Sequence, residues 1–95
     1  MNDDQQNEMQ LQMPPEIQGG VYANQTMVTH TPEEFVFDFM LITPPVATVN
    51  ARVIVTPAHA KRIAAVLAEN IRKYEAMFGE VEANLPPEPD TGQMH

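Results

Sequence analysis

The clearest pattern in the chain lies at residues 35–42. Phe35, Phe37, Phe39 and Leu41 fall on one face by the two-residue period of a strand. Val36, Asp38, Met40 and Ile42 fall on the other. Both faces are apolar apart from Asp38, which predicts a central strand covered on both sides. Two further extended segments flank it. Residues 21–30 form a mixed, more polar strand. Thr31-Pro32-Glu33-Glu34 then makes a turn, because proline fixes φ and cannot donate to a ladder. Residues 49–55 place Val49, Ala51, Val53 and Val55 on one face and Asn50, Arg52 and Ile54 on the other. Thr43-Pro44-Pro45 ends the strand before them.

The period also predicts register. Matching the Phe face to the Val face requires paired residue numbers with an even sum. A sum of 90 puts Met40 opposite Asn50, Asp38 opposite Arg52 and Val36 opposite Ile54. A slip by one residue would drive Arg52 among the phenylalanines. An Asp38–Arg52 cross-strand pair is therefore expected.

A helix follows over residues 57–78. Thr56 suits the N-cap and Pro57 the first helical position, while Gly79 stands where a left-handed residue can end it. Ala60, Ile63, Ala64, Leu67, Ile71, Tyr74 and Phe78 recur at three- and four-residue spacing. Val66 and Met77 widen the apolar arc to roughly 160°. The other side carries Lys61, Arg62, Glu69, Arg72 and Lys73, with Glu69 and Lys73 in the favourable i,i+4 order.

The element order is thus β-β-β-α. The expected fold class is α+β, a three-stranded antiparallel β-meander followed by one long amphipathic helix. One helix covers one sheet face. The central strand is apolar on both, and a core of about sixty residues is marginal alone. A homo-oligomer, a dimer, that covers the second face resolves the mismatch.

Charge divides the chain in the same way. The total is −8 over 95 residues, from 13 acids and 5 bases. Asp3, Asp4, Glu8 and Glu16 stand without a base in residues 1–19. Glu80, Glu82, Glu88 and Asp90 do so in residues 80–95. Residues 20–79 hold five of each sign and sum to zero. The expected organisation is an acidic disordered tail (1–19), a single α+β domain (20–79) and an acidic Pro-containing disordered tail (80–95). Neither tail has an apolar period able to offset its ordering entropy. The Pro86-Pro87-Glu88-Pro89 run reads as solvated tail rather than as a polyproline ligand.

Several chemistries drop out. The chain has no Cys, hence no disulfide and no thiol nucleophile, and no Ser, hence no serine triad. No apolar run reaches 18 residues, so no membrane span is expected. The polar, acidic start MNDDQQNEMQ is unlike a secretory signal. What remains is weak. Asp38 could act as an acid or base, against the blander pairing with Arg52. Tyr22 and Asn24 could contact a ligand, against simply finishing a strand. His59, Lys61 and Arg62 stand near a helix N-terminus, where an anion could sit. His30 and His59, with Glu33 or Glu34, lack metal-ligand spacing. No metal and no cofactor are expected. The acidic balance opposes phosphate binding, so nucleic acid is a disfavoured partner, kept open by the neutral centre.

Four segments, in order, carry a family resemblance. They are Val21-Tyr22-Ala23-Asn24, Glu34-Phe35-Val36-Phe37-Asp38-Phe39, the run from Arg52 through Thr56-Pro57-Ala58-His59 to Arg62, and the run from Glu69-Asn70-Ile71-Arg72-Lys73-Tyr74-Glu75 to Phe78-Gly79. They resemble the domain of unknown function 3467 family over residues 21–79. The resemblance implies an intracellular prokaryotic protein and brings no activity or catalytic residue. By element order alone, a sheet followed by a long amphipathic helix is also similar to the SecB-type export chaperones, which is analogy only.

The sequence therefore points to a small cytoplasmic, oligomeric binding or adaptor protein without catalytic activity, chaperone-like in one version, with an unidentified protein partner. Its candidate surface is Val36, Met40, Ile42, Ile54, Val66 and Met77. A nucleic-acid-associated regulator is the alternative, and an enzyme built on Asp38 comes last.

Overall fold

A computed structural model describes residues 8–84. Residues 1–7 and 85–95 lie outside the described part, and with them the start of the first expected tail and most of the second, including Pro86–Pro89. The chain divides into two compact units, one ending at Pro57 and one beginning at Ala58. Each is described by itself.

In the first unit a single helical turn, α1 (Pro15–Gln18), precedes three strands. It stands inside the segment read from sequence as a tail. Pro15 suits its first position, and Gly20, at φ +72, leads the chain away from it. The strands are β1 (Gln25–His30), β2 (Phe35–Thr43) and β3 (Val46–Val55). They form one antiparallel sheet in the order β1-β2-β3, the expected meander. Thr31 closes the first turn: its amide donates to the Glu34 carbonyl, and its hydroxyl accepts from the amides of Glu33 and Glu34.

The second turn differs from expectation. Thr43 pairs with Val46, so the ladder runs up to Pro44-Pro45, which are joined by a cis peptide bond. The sequence pattern places the prolines at the end of one strand and begins the next at Val49. At the tip of a two-residue hairpin no ladder N–H is needed, so they interrupt nothing. The first strand is shorter than expected, starting at Gln25 rather than Val21.

Register holds at a sum of 90 for Phe35–Val55, Val36–Ile54, Phe37–Val53, Asp38–Arg52 and Phe39–Ala51. A β-bulge then intervenes between Phe39 and Met40. Met40 pairs with Val49 and not with Asn50. The extra residue is Asn50, and beyond it the parity of β3 reverses. Val49 and Ala47 thereby join the face of Met40 and Ile42, whereas strict alternation had put Val49 with Val53.

The second unit holds all but the first residue of the helix α2 (Pro57–Phe78), which has the expected bounds. Its end follows the left-handed cap. Gly79, at φ +96, donates its amide to the Glu75 carbonyl at 2.9 Å. The Glu75 carboxylate accepts the Val81 amide at 3.0 Å. Glu69 pairs with Arg72, one residue nearer than the expected Lys73.

Among the described residues no apolar side chain is buried, and Asp38, 6% exposed, is the sole buried polar one. Holding a residue's backbone in one conformation costs about 1–2 kcal/mol, which apolar burial normally offsets. Among the described residues that offset is largely unmade.

Candidate functional site

The sheet has two unlike faces, and the ladder fixes their membership. One face stacks His30/Phe35/Val55, Val28/Phe37/Val53 and Thr26/Phe39/Ala51 in successive rows. It bears no carboxylate, Lys or Arg. His30 stacks on Phe35, with ring centroids 5.2 Å apart, and Phe37 on Phe39 at 6.3 Å.

The opposite face centres on the row Met27/Asp38/Arg52. Arg52 Nε donates to Asp38 Oδ1 at 2.6 Å, and Nη2 donates to Oδ2 at 2.9 Å. This is the expected pair, in two-pronged form. Four of the candidate surface residues border it: Val36 and Ile54 form the row on one side, and Met40 and Ile42 lie beyond on the other. Ile54 is 54% exposed. Sequence reasoning missed Met27 and Val49 on this face. The period of β1 held Met27 in view, but no signal revealed the parity change that moved Val49.

The Arg52 hydrogen bonds hold the Asp38 carboxyl below its ordinary value of 3.8, against the opposing effect of burial. Asp38 in turn raises Arg52. A carboxylate so engaged is a fixed, neutralised group rather than a proton carrier.

Asn24 and the Tyr22 carbonyl serve structure. Asn24 continues the sheet past the end of β1. Its amide donates to the Met40 carbonyl at 2.9 Å. Its side chain accepts from the Ile42 amide at 2.8 Å and donates to the Ile42 carbonyl at 3.1 Å. Asn50, freed by the bulge, donates Nδ2 to the Tyr22 carbonyl at 2.9 Å. An amide between Val49 and Ala51 was the available signal for that role.

On α2, Val66 lies in an open apolar groove with His59, Arg62, Ile63, Leu67 and Asn70. Met77, 76% exposed, stands elsewhere on the helix. Val66 and Met77 belong to a different unit from the four sheet candidates. Among the described residues no three His, Asp or Glu side chains gather as a metal set. Nor is any helix among them long and apolar enough to cross a membrane.

Comparison with known families identifies the chain. A family model, the protein of unknown function DUF3467, matches residues 1–83, and the chain belongs to that family. No curated protein and no solved structure matches it.

Proposed function

We propose that the chain is a small cytoplasmic binding or adaptor protein that works as an oligomer of itself and performs no catalysis. Its client surface is the Asp38 face of the sheet, with the Val66 and Met77 patches of the helix as further contacts. The observation that carries this reading is an apolar border, Val36, Met40, Ile42 and Ile54, around an ion pair whose charges are already satisfied. Such a surface accepts an extended apolar segment without stranding a charge, and methionines let it adapt to varied clients. A chaperone-like role for unfolded chains is the concrete form.

An enzyme reading needs a free acid or base, and Asp38 is held in the opposite direction. A polyanion reading needs cations, and two of five, Arg52 and Arg72, are engaged by carboxylates.

The test is aggregation of a chemically unfolded client monitored by light scattering. The full chain in tenfold excess should slow it several-fold, and Ile54→Lys should remove most of that effect. Unchanged aggregation with the full chain would remove the reading.

A further inference from the structure

We propose that the uncharged Phe face of the sheet, together with the apolar stripe of α2, is covered by the same two surfaces of a second copy of this chain. The inference rests on the oligomeric part of the reading above and not on client binding. The sequence alone assigned one sheet face to the chain's own helix and only the other to a dimer. Among the described residues no apolar side chain is buried, and the sheet unit taken by itself has no layer over its Phe face, so that face needs a cover.

Area selects what the interface must contain. A stable interface takes about 800 Å² from each partner. The three rows of the Phe face span about six residues along the strands and three strands across, a projected area of roughly 300 Å². That is too little alone. The 22-residue helix is about 33 Å long and about 10 Å wide, which adds a similar area. Leu67, Ile71, Tyr74 and Phe78 along it are all 45% exposed or more. The two surfaces together come close to what a stable dimer needs, and neither does so by itself.

Charge selects the occupant. A two-fold axis sets a surface against itself, so the patch must tolerate its own copy. The Phe face has no carboxylate, Lys or Arg, although the chain carries −8. Self-contact there meets no like charge. Self-pairing through the Asp38 face would instead set the exposed Arg52 of one copy, its side chain 62% exposed, toward the like-charged Arg52 of the other. That face therefore stays outward, where a client can reach it. Every copy brings both halves of the interface in equal amount, which no unrelated partner guarantees.

Neighbouring residues of β3 provide the test. Val53 belongs to the Phe face, and Ile54, more exposed, to the other. Sedimentation equilibrium and thermal melts of the full chain, Val53→Lys and Ile54→Lys are compared over a thousandfold concentration range. The wild type should sediment at twice the 10.6 kDa chain mass. Its melting temperature should rise with concentration, as mass action requires of a dimer that unfolds on separating. Val53→Lys should weaken association at least a hundredfold, and loss of its fold at low concentration counts as that result. Ile54→Lys should associate like the wild type. A folded monomer with a concentration-independent melt would overturn the proposal. So would an unfolded monomer needing a foreign partner, or association that survives Val53→Lys. Failure of the client assay with an intact dimer would leave this inference standing and remove only client binding.

Discussion

The two faces of the sheet are built from the same three strands, in the same rows, one residue out of step. On one, Phe37 lies between Val28 and Val53; on the other, Asp38 lies between Met27 and Arg52. The first is apolar but for Thr26 and His30 at its ends and carries no carboxylate, Lys or Arg. The second buries a carboxylate and completes its hydrogen bonds within the sheet. A surface with no acid, Lys or Arg suits permanent apolar cover, whereas one with a satisfied ion pair at its centre tolerates both water and a passing client. Alternation along β2 is enough to give one small sheet two different surfaces.

The largest effect that could break this comparison is expected at Phe37. If a second copy covers the Phe face, Phe37→Ala should cost about 3–5 kcal/mol in urea unfolding, as for a core phenylalanine. A half-exposed ring on an open face would cost about 1 kcal/mol, well short of full burial. The higher value is expected.

A smaller effect separates the other face by its pH dependence. Asp38 is depressed in the folded state, so its contribution is present above its unfolded value and lost as pH falls through the folded one. Wild type should therefore exceed Asp38→Asn in stability by a constant margin from neutrality down to about pH 5. The margin should shrink below the ordinary 3.8. Denaturant midpoints of both proteins between pH 7 and pH 3 read this directly. A margin that grows on acidification would contradict the assignment.

The smallest effect concerns the sheet's end. Asn24→Ala removes two hydrogen bonds to the Ile42 backbone and should cost about 1 kcal/mol. Hydrogen exchange at the Ile42 amide should accelerate, while that of Phe37 should not. Equal acceleration at both would mean global destabilisation rather than fraying of one end.

Much of this fold was legible in advance. Four aromatic or aliphatic residues at alternate positions marked β2, and a single acid opposite a single base located the register against β3. Thr56-Pro57 and Gly79 bracketed a helix whose interior has no breaker. These are local features, and local sterics and side-chain periodicity suffice for them. The bulge was different. Strict alternation had Met40 meeting Asn50 and kept Val49 with Val53, and nothing in the composition of β3 says that one residue is to be left out. The Pro44-Pro45 turn misled for a related reason, since proline is disruptive only where a ladder needs its N–H.

Element order, the two faces of β2, the Asp38–Arg52 pair and the limits of the helix could be read along the chain, because each depends on residues near in sequence or on a single matched pair. Only the tertiary structure decided that Asn50 leaves the ladder to hold Tyr22, that Val49 changes face, and that Asn24 prolongs the sheet beside Ile42. It also decided that no apolar side chain among the described residues is buried. Those outcomes depend on which distant backbone groups find partners and on how much surface water still reaches, and both are properties of the assembled chain rather than of any window along it.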